Sequence, residues 1–541
     1  MAEPTSFDEL TMKDFLVMLE GRYSEQASVN LDFLNGDHFG GDDGTYWVGP
    51  RRTAQDVLYR ESMAEIQRTF VSHNAVAEVT DRHVNGVLSR ELHWAFVPDR
   101  QLKETTETNP DTGQEVKHRE KPTPAEQALI EEAQAALVGW WDKREVTQTL
   151  QLALAGSLSV VRAPLRIYVP PGLLSEGGTL SAEDLMLAMD FIWLQFLGFD
   201  EDTLDFVIPT ATVWTDKKTR KDIGIFQYKE DEKNLLEVTY LDDLGNTVIR
   251  TMNDDGDTQP PIVIPLSKRL TMFEMQRKVL ISRQIISQQK ALNMTLTMKQ
   301  RNAVQGGFLE RVLMNVKVPG ETDPETGEFT PDPLYVGAGT TNLFQSETFT
   351  DSEGKTFVLP GSVSYRDPVP ANTFIETENS QYTGILQETH QLHYTLASEG
   401  SVSGESRKQA RDSFQKDLLY SAGKIESLVR WILETVLALG ANFSGAPDRF
   451  IGLRAYVQAK VDSGPVSADD MRVAAEMRER GIWDWETAAS ATGVTDVDAI
   501  KVKLAEESGV SLFAPKFEQM GQKPPATTGE LEGILAANDT L

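Results

Sequence analysis

Between Phe273 and Gln305 the chain runs for 33 residues without a proline or a glycine. An unbroken helix of that length spans about 50 Å, and Pro265 before it and Gly306-Gly307 after it stand where helices start and stop. The charge is as one-sided as the stretch is long. From Leu266 to Val304 there are eight basic residues: Lys268, Arg269, Arg277, Lys278, Arg283, Lys290, Lys299 and Arg301. The only acid is Glu274, so this stretch carries +7 inside a chain of −30. An ordinary solvated helix face is one reading, but such faces normally mix both signs. One-signed charge interleaved with Gln276, Gln284, Gln288, Gln289 and Asn293 points instead to a polyanion or an acidic neighbour.

The rest of the composition narrows the classes. At 541 residues the chain has room for three to five units, or for one elongated multi-part subunit. Hydrophobic residues at 40% and charged ones at 25% describe a globular protein. With no cysteine, disulfides, thiolate zinc sites, iron–sulfur clusters and cysteine nucleophiles are excluded. Acids outnumber basic residues 82 to 52, the wrong balance for tight capture of nucleic acid. No run of 18 apolar residues occurs and the N-terminus is polar, so no membrane span or secretory signal is expected; the chain reads as soluble and intracellular.

Catalytic signatures are missing. There is no phosphate loop, no H-E-x-x-H and no G-x-S-x-G turn; Gly400-Ser-Val-Ser-Gly404 has valine at the central position, and Gly337-Ala-Gly339 fails as a dinucleotide fingerprint. Two metal candidates remain. His390 and His393 are three apart, a spacing that puts both rings on one helix face, or simply makes two polar positions on a long helix. Asp37, His38, Asp42 and Asp43 crowd a Gly-rich loop, where a solvated turn is the plainer reading. No catalytic residue, cofactor or metal is expected.

Along the chain, residues 7–95 read as helical, with apolar steps through Val57, Met63, Ile66 and Phe70, and again from Asn74 to Trp94. Residues 101–124 are polar, with a Pro110–Gly113 turn. Thr123-Pro124-Ala-Glu126 opens a helix towards Leu154, followed by a strand-like run at Val160–Val169. From 206 to 263 the period is two, with a hairpin turn at Asp242–Asn246. After the basic helix, 306–365 return to strands and turns at Pro324–Gly327 and Asp351–Lys355. Then come a helix from Asn372 to Leu396, a small-residue loop, a helix from Glu405 to Leu439, and a tail, helical in pieces and acidic.

That order, with these residues, resembles the portal proteins of tailed bacteriophages, especially those of siphoviruses. Asn30-Leu-Asp-Phe-Leu-Asn-Gly-Asp37 followed by Tyr46-Trp-Val-Gly resembles the family's N-terminal helix end, and Asn74-Ala-Val to Val79-Thr-Asp-Arg-His-Val its wing helix. Gln288–Asn293 resembles its first stem helix, Ser403-Gly-Glu-Ser-Arg407 the opening of its long kinked helix, and Pro465–Val494 its crown. Glu405 departs from the family, which usually has leucine or valine after that glycine.

The resemblance implies an α+β fold, mainly helical: a portal-like elongated subunit with wing, long stem helices, a small β-containing clip and a helical crown. By position the wing would be 1–262, the first stem helix 266–304 and the clip 305–367. The second stem helix would be 371–396, the tunnel loop 397–405, the kinked helix 405–440, and crown and tail 441–541. It further implies a self-assembled ring of twelve at one capsid vertex, a channel for packaging and ejecting double-stranded DNA. The implied partners are the terminase packaging motor, head-completion and adaptor proteins, and major capsid and scaffolding proteins. The implied setting is the virion, and the host cytoplasm during assembly.

Charge fits a conduit. Strong phosphate binding would trap a moving duplex, whereas an acidic wall with a few basic rings repels and centres it, and a moving groove cannot be read base by base. The eight basic residues are therefore the candidate channel lining. Ser398, Glu399, Gly400, Ser401, Val402, Ser403 and Gly404 are the candidate constriction, against a plain helix connector. Trp140-Trp141, Trp431 and Trp483-Asp-Trp485 are candidates for subunit interfaces or for core. Two other readings compete: another virion structural protein (baseplate, connector or minor capsid component), and a metal-dependent hydrolase using Asp37, His38 and Asp42.

Overall fold

The computed structural model describes Phe7, 10–49, 63–99 except 65, 105–108, 115–118, 122–169, 185–216, 220–230, 233–307, most of 310–366, 369–396, 404–462, 468–481 and 488–489. The chain divides into two compact units, Met1–Ser463 and Gly464–Leu541. The second contributes the helix Ala468–Glu479. In the first, helices and sheets mix, and every strand ladder among the described residues is antiparallel. That is an α+β arrangement with no closed sheet.

Helix α1 (Met12–Leu19) lies on a six-stranded sheet. The strands are Ala211–Thr215, Asp222–Glu230, Lys233–Leu241 and Thr247–Asn253, with Gly256–Asp257 and Ile262–Ile264 both on the last. Phe7, Leu10, Met12 and Phe15 pack on Ile223, Ile225, Leu236, Val238 and Tyr240, the alternate residues of the covered face. The predicted hairpin forms: Asp242 Oδ1 accepts from the Leu244 and Asn246 amides at 2.8 Å each, and Gly245 takes the left-handed conformation the turn needs.

Helices α2 (Glu25–Asn35) and α3 (Ala75–Leu88) are capped by Ser24 and Asn74. The helix expected to reach Trp94 stops at Leu88, because His93–Pro98 is a strand paired with Leu453–Gln458, 355 residues away at its closing pair. The segment expected to be helical from 441 onward therefore holds a strand, whose Leu453, Ala455 and Val457 alternate into the core. Helix α4 (Pro124–Lys143) starts as predicted. The Glu126 amide donates to Thr123 Oγ1 at 3.3 Å and Glu126 Oε2 accepts from the Thr123 amide at 2.7 Å, a reciprocal capping box. It ends where Arg144 turns to donate to the Ile192 carbonyl and stacks on Trp193, and α5 (Val146–Val160) begins afresh.

The basic stretch is not one helix. Met272–Gln276 is a strand on Arg162–Tyr168, which in turn pairs with Trp193–Phe196, the strand that follows the short helix α6 (Leu185–Asp190). The helix begins only at Arg283, so α7 is Arg283–Gly307, 25 residues long. Absence of Pro and Gly permits helix without demanding it, and here long-range pairing wins. Glu274 shows why. Its side chain is 1% exposed, accepts from Arg162, and takes the Thr212 hydroxyl at 3.1 Å and the Val213 amide at 3.3 Å. One carboxylate thus ties two sheets together. Ser282 then caps the helix, its Oγ accepting from the Ile285 amide at 3.3 Å.

Helix α8 (Ala371–Glu388) ends eight residues short of the predicted Leu396; His390 adopts a positive φ and a single turn, α9 (His393–Leu396), follows. The longest element is α10 (Gly404–Phe443), 40 residues. Phe414, Leu418, Ala422, Ile425, Leu428, Val429, Ile432, Leu433 and Val436 form its buried stripe at three- and four-residue steps, the spine of the main core. Gly86 on α3 lets that stripe approach: a Cβ there would sit 2.8 Å from Leu418 and 3.0 Å from the Asp462 carbonyl.

Glu274→Ala removes one partner of a mostly buried pair and strands the Thr212 and Val213 groups. A loss of about 2–4 kcal/mol is expected, read as a lower urea midpoint in chemical unfolding.

Candidate functional site

Helices α7 and α8 form an antiparallel pair, and their cross-links run in opposite directions along the two chains. Gln284 Nε2 donates to Glu388 Oε1 at 2.9 Å, the Thr295 hydroxyl to Gln381 Oε1 at 3.2 Å, and Lys299 Nζ to Glu378 Oε2 at 2.7 Å. At the far end Asn302 clasps the Val369 backbone with both side-chain atoms, each at 2.8 Å. Beyond that clasp lies the segment between the helices. Its described strands form two-stranded ladders only, including Glu310–Met314 with Ser362–Arg366 and Thr348–Thr350 with Thr356–Val358. The large hydrophobic side chains described there, Met314, Phe329, Phe349, Phe357 and Val358, are exposed. Phe349 and Phe357, directly opposite across one ladder, are 60% and 52% exposed.

The eight basic residues do not form one face. Arg269 pairs with Glu434 at 2.7 Å, and Lys299 with Glu378. Arg301 donates twice to Thr69 Oγ1, and Lys290 lies over the Tyr46 ring at 4.6 Å. Burial lowers the Lys290 pKa. Arg277 is buried, donating to Ser421 Oγ at 2.8 Å and the Lys278 carbonyl at 3.0 Å. Burial pulls its pKa down to about 10, with Asp417 opposing. Lys268, Lys278 and Arg283 are exposed. Of the two partners open to the stretch, an acidic neighbour accounts for Arg269 and Lys299.

Two of the interleaved amides serve the backbone. Gln289 accepts from the Val76 amide at 3.2 Å and donates to the His73 carbonyl at 2.6 Å. Asn293 accepts from the His73 amide at 3.3 Å, and Thr297 from the Val71 amide at 3.1 Å. They satisfy the non-helical run 71–74 and the first turn of α3, laid along α7, and Gln289 and Asn293 are buried.

The metal candidates separate. His38 is buried, with Nε2 at 3.1 Å from the Phe33 carbonyl and Nδ1 at 2.8 Å from Asn293 Nδ2, while Asp37 accepts from the Gly40 amide. Both imidazole nitrogens are thus committed to the chain. His390 and His393 do not share a helix face: His390 Nδ1 meets Asp417 Oδ2 at 2.6 Å, and His393 packs on Phe414. Among the described residues no group of three or more His, Asp or Glu side chains could hold a metal ion. Ser398, Glu399, Gly400, Ser401, Val402 and Ser403 lie outside the described residues, and Gly404 opens α10. Trp140 and Trp431 are core residues, donating to the Ile192 and Leu270 carbonyls; Trp483 and Trp485 lie outside the described residues. Among the described residues no helix is long and apolar enough to cross a membrane.

One polar cluster had no expectation attached to it. His83 on α3 meets Ser421 Oγ at 2.8 Å and Arg277 at 3.3 Å through Nε2, joining α3, the turn before α7, and α10. A guanidinium donor on Nε2 makes that nitrogen the acceptor and puts the proton on Nδ1, which meets no acceptor among the described residues. The only sequence signal is a histidine on the apolar face made by Val76, Val79 and Val87.

No family model matches the sequence, and no curated protein matches it either.

Burial lowers the pKa of His38, and burial with the Arg277 charge lowers that of His83 well below 6.5. The unfolded chain therefore binds more protons than the folded one, so stability falls as pH drops below about 6.5. Unfolding free energies from urea titrations between pH 7.5 and 5.5 should decline with a slope of up to about 1.4 kcal/mol per pH unit for each histidine. His83→Gln, which keeps an acceptor and takes no proton, should flatten that decline.

Proposed function

We propose that this chain is the subunit of a portal-type ring that conducts double-stranded DNA through one vertex of a viral capsid. The observation that carries the reading is the antiparallel pair α7–α8 bearing a β segment of two-stranded ladders whose described large hydrophobic side chains are exposed. Isolated two-stranded ladders are marginal in water, and exposed opposed phenylalanines on one of them ask for cover. Repetition around a ring supplies that cover by a heterologous contact that closes on itself.

In this reading the chain does no chemistry of its own. The packaging ATPase is a separate partner, as are the head-completion and adaptor proteins, and the capsid and scaffolding proteins. Residues 1–262 are the wing, the α7–α8 pair is the stem, the β segment between them is the clip, and α10 is the kinked helix, with crown and tail beyond. The electrostatics suit a passage. With a chain charge of −30 and two cations of the basic stretch, Arg269 and Lys299, spent on carboxylates of the same subunit, little is left to hold phosphates. Lys268, Lys278 and Arg283 are the basic residues exposed for transient, sequence-blind contact.

The test is the mass of the particle. Native mass spectrometry should find a species about twelve times the 60.2 kDa of one chain. The double substitution Phe349→Asp with Phe357→Asp touches only exposed positions, so the subunit should keep its helical spectrum yet lose the large species. A wild-type monomer, or a double variant that assembles as well as wild type, would overturn the proposal.

A further inference from the structure

Where α3 runs into the strand His93–Pro98, and α4 turns into α5, the surface opens into a cavity of about 370 Å³. That is within the range of small-ligand sites. Its walls are two indoles, Trp94 and Trp141, with ring centroids 6.2 Å apart and planes inclined at 33°. Trp141 is held by its own hydrogen bond, Nε1 donating to Thr147 Oγ1 at 3.2 Å.

Two exposed carboxylates, Glu91 and Asp142, line the same cavity. Among the described residues neither has an ion-pair partner, in contrast to Glu78, Glu434 and Asp462 nearby in sequence or space. The one cation in the wall, Arg90, is already balanced: its side chain is 12% exposed and lies 3.4 Å from Asp462 Oδ2.

Aromatic faces and unpaired carboxylates around a cavity are the chemistry that receives a cation. We propose that this cavity binds an arginine or lysine side chain of a protein partner, the cation lying against the indoles and beside Glu91 and Asp142. The site uses residues of one subunit only and stands whether or not the chain forms a ring.

The experiment is calorimetric titration of the full-length protein with acetyl-Gly-Arg-Gly-amide at about 0.15 M salt, where charges beyond about 8 Å are screened. Saturable binding, one peptide per chain, is expected. The pair Glu91→Gln with Asp142→Asn should weaken it about tenfold. Glu201→Gln with Asp202→Asn, an exposed pair elsewhere that removes the same charge, should leave it unchanged. Acetyl-Gly-Gln-Gly-amide, which lacks the cation, should show no saturable binding. Absence of saturable binding by the arginine peptide, equal loss in the two double variants, or equal affinity for the glutamine peptide would overturn the site.

Discussion

One helix organises the larger unit. The buried stripe of α10, from Phe414 to Phe443, is the surface on which α3, the turn before α7, and the strands Met272–Gln276 and Leu453–Gln458 converge. Each fully buried Leu, Ile or Phe in such a stripe is worth about 1.5–3 kcal/mol, so the spine can hold elements that come from opposite ends of the sequence. It also brings polar groups into the core with it. Ser421 meets both Arg277 and His83, and Glu434 holds Arg269 while accepting from the Ala455 amide at 3.0 Å.

Those polar groups change what the positive charge of the central stretch means. Counted along the chain, eight cations facing one acid look like a surface made for a polyanion. Folded, the same residues divide. Some staple strands and helices together, one stacks on an aromatic ring, one is buried behind α10, and three face outward. In the proposed reading, a wall built this way repels DNA by its overall acidity and touches it at few points, a gentler design than a continuous basic lining.

The parts of the fold that were legible in sequence are those with local causes. The capping box at Thr123–Glu126, the Asp242–Asn246 hairpin, the alternation from 206 to 263, and the helix–β–helix order around 283–388 all follow from residues within a few positions of each other. What was not legible depends on distant pairing. Nothing local marks Met272–Gln276 as strand rather than helix. Its reasons lie in Arg162, Thr212 and Val213, and Glu274, which reads as a lone acid in a basic run, is the group that meets them. Likewise the buried amides of α7 look like a polar helix face until the backbone of 71–76 is laid against them. The Trp94–Trp141 cavity has the same character, for its two indoles are 47 residues apart and neither stretch carries a binding motif.

The central claim is that many copies of this chain enclose a passage. Averaged electron-microscope images of the purified, full-length protein test it most directly. The account requires an end-on view showing a ring with an open hole wide enough for a DNA duplex. Compact single subunits, or an assembly with a filled centre, would contradict it.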